Sequence, residues 1–98
     1  MEWDFDSEMW LWKAETAWHF VTLPTEVADE IEDVVVERRG FGSLRVKVTI
    51  GATSWSTSIF PSKELGSYVL PVKKAVRMAE GMEVGETYHL NVALLDAR

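Results

Sequence analysis

Cysteine is absent from all 98 residues. That excludes disulfides, thiolate metal sites and thiol nucleophiles, and it points to a reducing compartment. Long apolar runs are absent too, since no stretch approaches the ~18 residues a membrane-spanning helix needs. The N-terminal MEWDFDSE is acidic and has no apolar segment of the signal-peptide kind, so the expectation is a soluble, cytosolic protein. Histidine occurs only as His19 and His89. A metal site would need both, plus a carboxylate such as Asp4 or Glu15, with no helical i, i+4 spacing to support it. Ser58, His19 and Asp6 assemble into a nucleophile triad only on paper, because nothing local marks the serine as activated. No catalytic, metal or cofactor motif is read, and an enzyme is the least supported class.

Positive charge is scarce in the first third. Residues 1–37 hold eleven acids and one base, residues 38–77 hold eight bases and one acid, and residues 78–98 hold four acids and one base. The net charge of −6 therefore conceals a strong asymmetry. Such blocks mark an interaction surface, or else the two halves lie against each other and cancel.

What is present reads as alternating strands punctuated by three prolines. Trp3 and Phe5 alternate with Glu2 and Asp4, a strand pattern. Further along, Met9 and Leu11 keep the apolar face while Trp10 and Trp12 make the polar face aromatic. Either a bulge near Ser7 and Glu8 resets the register or the far end is covered on both sides. Lys13 to Ala17 reads as a polar connection, and Trp18 to Leu23 as the second strand of a hairpin. Leu23-Pro24 opens a helix with proline at its first position and a buried stripe of Val27, Ile31, Val34 and Val35. Arg38 and Arg39 close it before Gly40, and the β-branched run Val34–Val36 favours an early stop.

Gly40 to Ser43 reads as a turn. Leu44 to Ile50 alternates cleanly, with Arg45 and Lys47 outward. Gly51 to Thr53 reverses the chain, and Ser54 to Phe60 returns antiparallel until Pro61 ends it. Gly66 to Leu70 is a short strand. Leu70-Pro71 opens a second helix with an apolar set of Val72, Ala75, Val76 and Ala79, closed by Gly81. After Gly85, Thr87 to Leu95 forms the last strand. The order strand, strand, Leu-Pro, helix, glycine, strand thus occurs twice. Two ββαβ units predict a single mostly-β domain over residues 1–98: a six-stranded closed or split barrel, its openings capped by two helices. Any strand–helix–strand passage between parallel strands would cross over right-handed.

Four strings carry a resemblance: Trp18–Pro24 (WHFVTLP), Gly40–Ser43 (GFGS), Trp55–Pro61 (WSTSIFP) and Tyr68–Arg77 (YVLPVKKAVR). Together they resemble a bacterial and archaeal family of small domains of unknown function, found alone or fused to YdeI-like, OmpD-associated proteins. The resemblance implies a six-stranded β-barrel with helices and no settled activity. The fused partners are associated with envelope stress or bacteriocin protection, which makes an accessory or protein-interaction role the alternative expectation.

The physical anomaly is Lys73-Lys74 at the start of the second helix, where cations oppose the dipole by roughly 0.3–1 kcal/mol each. Arg77 follows one turn later. Lys63 and the hydroxyls of Thr57, Ser58 and Ser62 lie close before them in sequence. This grouping predicts a pocket for a small anionic or nucleotide-like ligand, with Lys73, Lys74, Arg77, Lys63 and Ser58 as grip and Trp55, Trp10 and Trp12 as apolar wall. The bland alternative is that the lysines point into water or pair with the acidic third. Arg39 to Val46 faintly echoes an RNA-recognition signature but lacks its stacking aromatics at Ser43 and Val46. A pI near 4.8 also argues against nucleic acid as a partner. The five tryptophans fill a small barrel or, for Trp10 and Trp12, line an opening or a homodimer surface.

Overall fold

The structure is a computed structural model that describes residues 1–13, 17–35 and 42–95. In chain order the elements are β1 (Glu2–Trp12), β2 (Trp18–Thr22), α1 (Thr25–Val34), β3 (Leu44–Ile50), β4 (Thr53–Ser62), β5 (Ser67–Pro71), α2 (Lys74–Glu80) and β6 (Thr87–Leu94). The strands close into a barrel in the order β1-β2-β5-β4-β3-β6, and every ladder is antiparallel. The passages β2-α1-β3 and β5-α2-β6 join strands that are not neighbours, so no parallel pair and no crossover of that kind arises. The expected connection at 13–17 and the turn at 40–43 fall in part outside the described residues, as do Arg38, Arg39 and Gly40.

Closure rests on the two longest strands. β1 pairs with β6 from Glu2 to Glu8 and then with β2 from Met9 to Trp12. β4 does the same, pairing with β3 from Thr53 to Ile59 and with β5 from Phe60 to Ser62. The two halves are thereby related by an approximate two-fold. Each ladder keeps an unbroken register, so the change of character past Ser7 is a change of partner rather than a bulge. Trp10 and Trp12 remain on the outer wall, with Trp10 half-buried and Trp12 exposed.

The core is the set of inward side chains this register selects. Met9, Val21, Val46, Val48, Ile59, Leu70, Leu90 and Val92 are wholly buried, and Tyr68 lies among them. α1 covers one end of the barrel through Ala28, Ile31 and the following Val35, while Val27 and Val34 are only half-buried. Ile31 and Val35 of the expected stripe are thus buried with Ala28 beside them, and Pro24 stands outside the helix as its N-cap, with φ −57° and ψ 147°. Its carbonyl accepts the Ala28 N–H at 3.0 Å. The helix does stop at Val34, where β-branched residues accumulate. At the other end of the barrel α2 buries Val76, with Val72 and Met82 flanking it; Ala75 and Ala79 face outward, contrary to the expected set. Gly81 closes α2 at φ 61°, a left-handed cap that glycine takes without a Cβ penalty.

The prolines act differently from expectation, for one geometric reason. The Leu23 N–H donates to the Tyr68 carbonyl at 3.0 Å, and the Val72 N–H donates to the His19 carbonyl at 2.9 Å. These bonds turn the polar groups of residues 68 and 72 toward β2. Backbone groups alternate sides along a strand, so those of 67, 69 and 71 face β4. Phe60 opposes Val69 and Ser62 opposes Ser67, so these two β4 residues bond toward β5 and Pro61 between them does not. Pro61 is therefore tolerated, and β4 runs on to Ser62. Pro71 falls where a bond is needed. The next pair would join Ser58 to Pro71, and Pro71 has no N–H to give, so the β4–β5 ladder ends at Phe60–Val69. β5 extends through Pro71, and α2 begins only at Lys74.

Leu70 is fully enclosed on the strand that closes the barrel. Leu70→Ala is expected to lower stability by about 2–5 kcal/mol, read as a shifted urea midpoint, whereas Trp12→Ala on the outer wall should shift it by under about 1 kcal/mol.

Candidate functional site

Where the β4–β5 ladder stops, the strands part and leave a seam. It forms a cavity of about 380 Å³ lined by Trp55, Ser56 and Thr57 of β4, Pro71 to Lys73 after β5, Ala17 to His19 at the start of β2, and Arg77 of α2. Trp55 and Thr57 project inward because they oppose Val48 and Val46, and the barrel end here is open enough to leave both half-buried.

Arg77 is the centre of the seam. Its Nε–H donates to the Val72 carbonyl at 3.1 Å, and its Nη1 donates to His19 Nε2 at 3.4 Å. Accepting from a guanidinium requires a neutral imidazole with Nε2 unprotonated. Burial, with the Arg77 charge second, holds the His19 pKa below its ordinary 6.5. Arg77 is half-buried, yet among the described residues no carboxylate pairs with it. Lys73 lies beside it, exposed and extended at φ −74° and ψ 162°, as the N-cap of α2. The Lys73 carbonyl accepts from the Val76 and Arg77 N–H groups at 3.1 Å each, while neither the Lys73 nor the Lys74 ammonium pairs with another described residue.

Three of the six predicted residues thus meet: Lys73, Arg77 and Trp55. The other three do not. Lys74 opens α2 but does not line the cavity. Lys63 sits in the β4–β5 turn, in a groove beside α1 with Ala28, Asp29 and Tyr68, at the opposite end of the barrel. Ser58 points outward and accepts from Arg45 Nη1 at 3.3 Å. Trp10 and Trp12 do not reach the seam either; they line a second groove of about 530 Å³ with Phe20, Leu65 and Val69. With only seven residues, α2 contributes no significant dipole site, so the grip comes from side chains rather than from its first turn. The sequence reading missed Trp18 and His19 as seam residues. His19 lies 58 positions from Arg77, and only the pairing of β2 with β5 joins them.

The corresponding junction in the first half is bridged by side chains. There the Ser7 hydroxyl donates to the Thr22 carbonyl at 2.7 Å, and Trp10 Nε1 donates to Thr22 Oγ1 at 2.8 Å. Trp3 Nε1 donates to Glu30 Oε1 at 2.8 Å, tying α1 to β1. Tyr68 donates to Glu32 of the same helix. Acidic side chains and hydroxyls bridge one junction, while the other is left hollow and cationic.

The paper triad is scattered. Ser58 is held by Arg45, His19 by Arg77, and Asp6 by His89. His89 lies on the outer wall with Nδ1 at 2.8 Å from Asp6 and Nε2 at 3.5 Å from Asp4. The Asp6 hydrogen bond is the largest of the effects that raise its pKa above 6.5.

The fold and this junction define a class first: a small closed β-barrel made of two ββαβ halves, one junction bridged by side chains and one open. Sequence comparison then gives the family. The model of the domain of unknown function DUF1905 matches residues 5–92, and the chain belongs to that family. No curated protein matches the chain. Among the described residues no helix is long and apolar enough to cross a membrane.

The two histidines should titrate on opposite sides of 6.5, His19 below and His89 above, in an NMR pH series. Their linkage to folding is opposite as well. His89 stabilises the fold below pH ~6.5 and loses that contribution as pH rises through its raised value. His19 stabilises it above ~6.5 and loses that contribution as pH falls through its lowered value. Asp6→Asn should return His89 toward 6.5, whereas Arg77→Gln should raise His19 only partway because burial remains.

Proposed function

We propose that the chain is a non-enzymatic binding module for a small anionic ligand, held in the β4–β5 seam. One observation carries this reading. A half-buried guanidinium, fixed by a carbonyl and a neutral imidazole, faces a cavity of about 380 Å³ with no carboxylate to balance it among the described residues. A cation drawn partly out of water is stabilised most by a charge-assisted hydrogen bond to an anion. Arg77 would bind the anion, Lys73 would add charge at the rim, and the Thr57 hydroxyl would orient it. Trp18 and Trp55 offer apolar walls. Trp18 is braced by near-parallel stacking on Phe20, with centroids 6.1 Å apart and planes 9° apart, so it can receive a flat group such as a nucleobase. The size suits one carboxylate or phosphate group with a modest attached body.

A second reading rests on the outer wall of β1, β2, β5 and β4. Trp12 and Trp18 are 50% and 49% exposed there, and Phe60 and Leu65 are each 44% exposed. Trp10 and Phe20 lie between them at 5.2 Å. Apolar exposure of this extent marks an association surface, and a homodimer through the aromatic N-terminal strand would cover it. Sedimentation equilibrium should then show mass rising with concentration and Trp12→Glu abolishing the rise; a monomer mass throughout overturns this second reading.

The anion reading is tested with sulfate, whose charge is constant between pH 5.5 and 7.5, and with phosphate and nucleoside monophosphates. At ten times its dissociation constant a ligand should add about 1.4 kcal/mol of stability, and Lys73→Ala with Arg77→Gln should remove the gain. A bound anion raises the His19 pKa, so sulfate should bind more tightly at pH 5.5 than at 7.5, and His19→Gln should flatten that dependence. No stabilisation by any of these anions would overturn the proposal.

A further inference from the structure

The backbone of β4 beside the seam narrows the ligand class. Phe60 and Ser62 bond toward β5, and by strand alternation the N–H and C=O groups of Ser54, Ser56 and Ser58 point the same way. The Pro71 ring stops the ladder before it reaches them. Among the described residues no strand lies opposite this edge, and no backbone hydrogen bond satisfies it. Between Ser54 and Ser58 that leaves about 14 Å of strand edge without a partner strand among the described residues, at ~3.4 Å per residue. Ser56 of this edge lines the cavity together with Lys73 and Arg77. The opposite edge of β4 is fully paired with β3 over the same residues, so its geometry is held rigid.

We propose that the seam accepts the last residues of an extended peptide, which adds a short strand to β4 and places its terminal carboxylate against Arg77 and Lys73. This rests on the anion reading above and assigns its ligand. Three observations converge on it. Free backbone donors and acceptors at a strand edge match an extended main chain, as in strand addition. A cationic cluster with no carboxylate partner among the described residues matches a carboxylate. Apolar walls from Trp55 and Val72 match a terminal side chain. A free phosphate or acetate satisfies only the second feature, and a nucleotide satisfies the second and third without using the edge.

The test is NMR titration of the full chain with four probes. These are sodium acetate, a nucleoside monophosphate, an equimolar mixture of N-acetylated tripeptides with free carboxylates, and the same mixture C-amidated. The expected result is that acetate moves the Arg77 Nε–H alone. The free-carboxylate peptides should also move and protect the Ser54, Ser56 and Ser58 amides, with at least tenfold tighter apparent affinity than acetate. Amidation should remove that gain. Ser56→Pro deletes an N–H that points into the seam and not toward β3, so it should weaken the peptides about tenfold and leave acetate unchanged. If peptides bind no better than acetate, or as well when amidated, or if the nucleotide binds tighter with the β4 amides unmoved, the peptide assignment is overturned while the anion site stands. If no probe and no sulfate moves Arg77, both fall. Should Ser56→Pro fail to fold, the amide protection in the unmodified chain decides alone.

Discussion

Each half of this barrel closes because one long strand serves two neighbours in turn. β1 and β4 pass from one partner to the next at Met9 and Phe60, and the shear this creates lets six short strands meet in a ring. The same device leaves a cost. Wherever a strand changes partner, the portion before the change has one bare edge, with main-chain groups that the sheet does not satisfy. The helices sit at these two places, and how each junction is finished distinguishes the halves.

The first junction is finished with hydrogen bonds from Ser7, Trp10 and Trp3. The second is finished with cations and left hollow. Symmetry of backbone thus coexists with different chemistry at the two junctions. The electrostatics agree. α1 carries Glu26, Asp29, Glu30, Glu32 and Asp33 at one end of the barrel, and Lys73, Lys74 and Arg77 stand at the other. These two clusters therefore stand at different ends of the barrel, while Lys63 of the same basic block lies in the groove beside Asp29.

Much of the architecture was legible because it depends on local rules. Alternation in Leu44 to Ile50 and Thr87 to Leu94 marks strands with one buried face. The repeated Leu-Pro marks where each half turns from strand toward helix, and Gly81 marks a left-handed stop. The errors lie where a residue's meaning depends on the direction of a neighbour. Pro61 and Pro71 are the same residue in similar strands. One interrupts nothing and the other opens the seam, because only Pro71 has its missing N–H aimed at a partner strand. Likewise Lys63 and Lys73 are ten positions apart and look like one cluster, yet the β4–β5 turn carries Lys63 to the far end of the barrel.

By itself the sequence determined the number and kind of elements, their two-fold repetition and the presence of a cationic segment after the second Leu-Pro. Each follows from periodicity, proline and glycine stereochemistry, or charge counting, none of which requires knowing what packs against what. Tertiary structure alone decided which cations share a cavity, that His19 accepts from Arg77, and that the β4 edge at Ser56 lines that cavity with no partner strand among the described residues. Those are relations between residues up to 58 positions apart, and they exist only once barrel closure has chosen a register.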